Sequence, residues 1–223
     1  YSYGDGQEIF TLQEFKDNFN IDKVTLGGPV FDLVKLGWVN NQHMKMKDLD
    51  ELTRLTVPFF VNEGYLASEN VSEKEFETLK KIVEIEREGA KTLKEIAKNS
   101  KFFFVDEFSL PEIKEDMDKK ERKSVEKLLN SLKDEVGLKS IKLFIEKLEK
   151  WDGNEFTAEQ AKDLLHSLLD DLQEGPGKIF MPIRAVLTGE SKGADLYNVL
   201  YVIGKERALK RIKDTVKKYN IEI

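Results

Sequence analysis

Paired carboxylates are the first residues in this sequence whose types and spacing could do chemistry. Glu84 and Glu88, Glu112 and Glu115, and Asp163 and Asp170 stand three to seven positions apart, close enough on one helix for general acid and base work. Any acidic helix produces the same spacings, so no pair singles out a catalyst. There is no cysteine, which removes disulfides, thiolate zinc sites, iron–sulfur clusters and cysteine nucleophiles together. His43 and His166 are the two histidines, too few for a histidine metal site. His166 lies two residues after Leu164 and two before Leu168, off the apolar stripe, and is expected at a surface or an edge. Neither Gly-x-x-x-x-Gly-Lys-Ser/Thr nor Gly-x-Gly-x-x-Gly occurs, and Gly27-Gly28 precedes Pro29, which lacks the amide that a phosphate cradle uses.

Phosphate chemistry of another kind is open to residues 205–218. Lys205, Arg207, Lys210, Arg211, Lys213, Lys217 and Lys218 there face only Glu206 and Asp214, a local +5 within a chain whose net charge is −6. Such a run can meet nucleic-acid phosphate. It can equally be a solvated helix face, with Arg207 and Lys210 paired to acidic neighbours.

The elements that must position these residues are helical. The 223 residues, 40% hydrophobic and 35% charged with 14 Gly and 5 Pro, suit one large or two modest domains and exclude collagenous and disordered classes. No window approaches the roughly 18 uncharged apolar residues of a membrane span, and the first ten residues lack the features of a signal peptide. A cytoplasmic setting is the default expectation. The start at Tyr1 suggests a piece of something longer.

Thr11 and Glu14, Ser72 and Glu75, and Thr157 and Gln160 have capping-box spacing and predict helix starts near 12, 72 and 158. Residues 30–39 read as a short apolar helix packed on its neighbours beyond the exposed Gly27-Gly28-Pro29 connection. A helix over about 48–62 should be kinked or ended by Pro58, and another is expected near 90–98. Phe102-Phe103-Phe104-Val105 reads as a buried strand or an extended connection, with stacking on bases a lesser alternative. From Ser124 the 3–4 spacing of Val125, Leu128, Leu132 and Val136, then Ile141, Phe144 and Leu148, then Leu164, Leu165, Leu168 and Leu172, marks three amphipathic helices. A turn at Asp152-Gly153-Asn154 separates the second from the third. Helices over about 180–187, 195–203 and 205–219 follow a loop at 173–178. The class is all-α, a helical cage or superhelical bundle.

Three strings give this array a specific resemblance. They are FTLQEF with VTLGGPVFDLVKLGWVN in residues 10–40, TLKEIAKNSKFFF at 92–104, and KIFMPIRAVLTG with LYNVLYVIGKERALKRI in residues 178–212. In this order they resemble the C-terminal half of bacterial glutamyl-tRNA synthetase. The resemblance implies the end of a stem-contact domain at 1–47 and two anticodon-binding helical domains at 48–105 and 106–223. It also implies that the catalytic domain lies elsewhere. Met44-Lys-Met-Lys47 is not the family's nucleotide-binding signature, so catalytic residues, metal and cofactor are expected to be absent here, with ATP and Mg used by the full-length parent.

The implied function is tRNA binding. Arg184 takes the place of the family's anticodon-contacting arginine, Thr188 ends the helix after it, and Leu196 and Tyr197 fall where an apolar and an aromatic residue meet anticodon bases. Arg184 as a surface ion pair and Tyr197 as plain core are the alternatives. Lys35, Lys205, Arg207, Lys210 and Arg211 are candidates for tRNA stem or phosphate contacts. Where discriminating enzymes carry an arginine that reads the third anticodon base, this chain has Gly89, unless Arg87 or Lys91 substitutes. The resemblance therefore implies a non-discriminating parent that acts on tRNA(Glu) and tRNA(Gln), with an amidotransferase to correct the second product. DNA and membrane are not expected partners. The rival readings are a helical adaptor binding a protein through an apolar groove and, last, a standalone hydrolase.

Overall fold

The computed structural model describes residues 6–24, 27–28 and 30–223, and every regular element among them is helical. Tyr1 and Pro29 lie outside the described residues. The chain forms two compact units, Tyr1–Lys98 and Asn99–Ile223.

In the first unit, α1 (Leu12–Asn18) and α4 (Glu73–Glu86) open on the capping boxes expected of Thr11 and Ser72, with Glu14 and Glu75 reaching back to the cap amides. Between them come a 3-10 turn at Ile21–Lys23, α2 (Leu33–Met46) and α3 (Leu49–Asn62). Asp32 and Asp48 accept the first free amides of α2 and α3, relieving donors that no helix can satisfy internally. Pro58 does not end α3, which continues to Asn62. Leu52, Val57 and Phe60 of α3 pack against Leu79, Ile82 and Val83 of α4 to form the core, and α5 (Leu93–Asn99) closes the unit.

The apolar group at 30–39 behaves differently from expectation. Val30 is 91% exposed, and Phe31, Leu33 and Val34 each exceed 70%. It is the C-terminal half of α2 that docks: Met44 is buried, and the Asn41 side-chain amide donates to the carbonyls of Arg87 and Ala90. The helix is longer than its apolar residues suggest because polar residues, not leucines, fasten it.

The second unit is built around α10 (Pro176–Thr188). Ile179, Pro182, Ile183 and residues 185–188 are all buried there, against α7 (Lys119–Ser131), α8 (Glu135–Lys150), α9 (Ala158–Leu172) and α11 (Leu196–Lys218). The segment expected as strand or extended connection is a single helical turn, α6 (Lys101–Phe104), with Phe102 and Phe103 buried. Four residues are too few to carry a periodicity, and only their tertiary partners decide them.

α11 is two helices in line, as the sequence suggests, broken at Gly204 with φ 73° and ψ 175°. This conformation is essentially open to glycine alone. The turn after α8 supplies the missing cap: Asn154 accepts from the Lys205 amide through its carbonyl and from the Glu206 amide through its side chain, both at 2.8 Å. Gly204→Ala should therefore lower the stability of the chain by about 1–3 kcal/mol, because the added carbon would also lie 2.9 Å from the Asn154 carbonyl oxygen. Asn154→Ala should cost about 1 kcal/mol. Urea denaturation of both variants checks this.

Candidate nucleic-acid interface

Arg184 sits in the last turns of α10, beside the face buried against its neighbours, with Phe180 one turn earlier. Its Nη2 donates to the carbonyl of Ala194 at 2.9 Å, so the loop that leaves α10 folds back over the guanidinium. Thr188 makes that return possible. Its hydroxyl donates to the Arg184 carbonyl at 2.8 Å and accepts from the Glu190 amide at 3.2 Å. Gly193, at φ 137°, lies close to both Arg184 and the Phe102 ring; a Cβ there would stand 3.7 Å from Arg184 Nη1 and 3.4 Å from the ring. The loop then delivers Asp195, Leu196 and Tyr197 to the start of α11.

Arg184, Phe180, Asp195, Leu196 and Tyr197, with Leu165 and His166 of α9, line a cavity of about 230 Å³. That is below the roughly 300–1,000 Å³ of sites for drug-sized ligands and suits one flat ring system. Burial lowers the Arg184 guanidinium from its ordinary pKa while the Asp195 carboxylate opposes the shift; an arginine stays charged through such a change. Burial, and after it the Asp195 charge, raises the Tyr197 phenol, which is therefore neutral near pH 7. The site thus offers a partly desolvated planar cation, a carboxylate acceptor, a neutral phenol and aromatic walls. That set has the chemistry to meet the edge and face of an unstacked base. Among the described residues no group of three or more His, Asp or Glu side chains is placed to hold a metal.

The structure brings together three of the residues expected to contact anticodon bases. Arg184 and Tyr197 are half-buried on the cavity wall, neither an ion-paired surface arginine nor plain core, and Leu196, 6% exposed, is its floor. Thr188, 4% exposed, shapes the end of α10 and does not line the cavity. Asp195 and Phe180 were missed by sequence reasoning. Phe180 is one helical turn from Arg184, a signal that was there to be used.

The basic candidates are redistributed. Arg211 is 1% exposed, its Nε on Asp106 at 2.8 Å and its Nη1 on the Phe102 carbonyl at 2.6 Å. Arg207 shares Asp106 at 2.5 Å and also donates to the Phe104 carbonyl. Lys205 donates to the Trp151 carbonyl at 2.6 Å. Arg211 is thereby withdrawn from any phosphate, whereas Lys205 and Arg207 hold the fold through these bonds while staying half-exposed. Lys210 faces solvent, paired with Asp214, and Lys35 is exposed in the first unit, paired with Glu8. Gly89 lies in the exposed turn after α4 with open space where a side chain would project.

Against this geometry, a family model described as an anticodon binding domain matches residues 51–216. The chain belongs to the anticodon-binding domain family. It is 92% identical over all 223 residues to a glutamate–tRNA ligase of Fusobacterium nucleatum, covering 44% of that protein. It is 33% identical over 212 residues to the glutamate–tRNA ligase of Carboxydothermus hydrogenoformans, covering 95% of this chain and 41% of that protein. A crystal structure of a glutamate tRNA ligase from Elizabethkingia meningosepticum, in complex with its amino acid, superposes over 100% of this chain and 39% of that one, with TM-score 0.75 and 26% identity. The chain thus corresponds to the anticodon-binding part of a bacterial glutamyl-tRNA synthetase, and it spans less than half the length of these relatives.

Within this anticodon-binding domain the Asp106 clasp sets a pH dependence. Burial alone would raise the Asp106 carboxyl, but the hydrogen bonds and charges of Arg207 and Arg211 outweigh it and hold it below its usual value. A depressed carboxylate stabilises the fold above its ordinary pKa of about 3.9, and that contribution is lost as pH falls through the lower folded value. Asp106→Asn should cost about 2 kcal/mol at pH 7, less than the ~3–5 of a fully buried pair because the Asp106 side chain is 40% exposed. Urea melts should show the gap between variant and wild type intact at pH 7 and shrinking below about pH 4.

Proposed function

We propose that this chain reads the anticodon of tRNA for a glutamate–tRNA ligase. The observation that carries the reading is the Arg184 cavity, sized for one base and furnished with donor, acceptor and aromatic wall. In this reading residues 1–47 end a stem-contact domain, and 48–105 and 106–223 are the two anticodon-binding domains. The parent enzyme joins glutamate to tRNA in the cytoplasm, using ATP and Mg in a catalytic part that these residues do not supply.

The substrates are tRNA(Glu) and tRNA(Gln). Support comes from Gly89, which has no side chain with which to select the third anticodon base, the one that separates the two tRNAs. A bidentate arginine there would discriminate by about 1–3 kcal/mol. A parent that glutamylates tRNA(Gln) also requires an amidotransferase to convert the product, and that enzyme is the partner this reading implies.

Titrating the chain with tRNA(Glu), tRNA(Gln) and an unrelated tRNA at several salt concentrations tests the reading. The first two should bind alike and more tightly than the third, with affinity falling as salt rises. Binding that ignores both tRNA identity and salt would instead fit an apolar adaptor surface. In the full-length parent, Gly89→Arg, which the open space around that position accommodates, should reduce charging of tRNA(Gln) about tenfold or more and leave tRNA(Glu) nearly unchanged. Failure of the unmodified parent to charge tRNA(Gln) would remove the non-discriminating assignment.

A further inference from the structure

On the polar wall of the Arg184 cavity, one side chain stands apart from the interactions of the others. Arg184 donates to the Ala194 carbonyl, and the Asp195 charge acts on both Arg184 and the Tyr197 phenol. His166, on the same wall, is exposed and has no hydrogen-bond or ionic partner among the described residues. Its position is set by α9, whose Ala161, Leu164, Leu165 and Leu168 are buried. Residue 166 falls beside that stripe, at the edge where α9 meets the start of α11, with Leu165 turned into the core as its anchor.

A free surface imidazole is ordinarily unremarkable. Here it stands at the mouth of a cavity whose other walls carry the donor Arg184, the acceptor Asp195 and the ring of Tyr197. An unstacked base presents donors and acceptors side by side on its edge. A neutral imidazole offers an N–H on one ring nitrogen and a lone pair on the other, so it can answer either. Phe180 and Tyr197 already supply apolar planes, Arg184 only donates and Asp195 only accepts; His166 adds a group able to do either.

We infer that His166 contacts the edge of the base held in the Arg184 cavity and sets which base is accepted there. The inference rests on the tRNA-reading function proposed above and adds a specificity residue to it. The imidazole acts through its nitrogens and not through its area, which separates it from Phe180 and Tyr197.

The test is fluorescence anisotropy of the 223-residue chain with an anticodon stem-loop of tRNA(Glu), its single-base replacements at each anticodon position, and an unrelated hairpin, at fixed salt. Wild type, His166→Phe and His166→Gln are compared; the exposed position makes both changes compatible with folding. At one anticodon position the wild-type preference for the native base should drop about fivefold in His166→Phe, the worth of about one hydrogen bond, while His166→Gln keeps most of it. An undiminished preference in His166→Phe, or an equal loss of affinity for every RNA, overturns the inference and leaves the tRNA reading standing. A wild-type chain that does not distinguish the native loop from the unrelated hairpin overturns both.

Discussion

A guanidinium with 1% exposure is the constraint on which the second unit depends. Arg211 comes in from α11 and takes Asp106 and the Phe102 carbonyl, and Arg207 adds a second cation to the same carboxylate. A buried charge left without partners is costly, so the segment 102–106 has little choice of position once α11 is formed. That holds the main chain at Phe102, whose ring lies, with Arg184, close to Gly193. The loop so confined presents the Ala194 carbonyl to Arg184. The cavity arginine and the Asp106 ion pairs are thus linked through Phe102 and the loop at Gly193 and Ala194.

The same accounting changes how the molecule meets RNA. The basic run at 205–218 is divided: Arg211 is buried and Arg207 and Lys205 brace the fold, while Lys210, Lys213, Lys217 and Lys218 are exposed, the first two paired with Asp214 and Glu149. Although the net charge is −6, these exposed lysines can still meet phosphate, a sequence-independent and salt-sensitive contribution. In the proposed reading, preference for one anticodon over another comes from shape, stacking and hydrogen bonds at base edges.

Much of this was legible in the sequence, and the residues show why. Capping boxes at Thr11, Ser72 and Thr157 are local devices with fixed spacing, and leucines on a 3–4 repeat report a buried helix face wherever it is; both read directly. The break before Lys205 was visible as glycine between two patterns. What could not be read were interactions between distant segments. Nothing near Arg211 announces Asp106 more than a hundred residues earlier, so a structural cation looked like a phosphate ligand. Asn154 looked like a turn residue and proved to be the cap of a helix fifty residues on. His166 was correctly expected off the apolar stripe of α9, but its nearness to Arg184 depends on how α9 meets α11, which no periodicity encodes. The apolar residues at 30–39 misled for a related reason, since hydrophobicity marks what can be buried and not what covers it.

The central claim is that anticodon bases enter the cavity walled by Arg184 and Tyr197. Chemical footprinting of tRNA(Glu) bound to this chain addresses it most directly. The account predicts protection of anticodon-loop bases by the wild-type protein, and loss of that protection with Arg184→Ala under conditions where the variant remains folded. Protection confined to the stem, or an anticodon loop as reactive in the complex as in free tRNA, would contradict it.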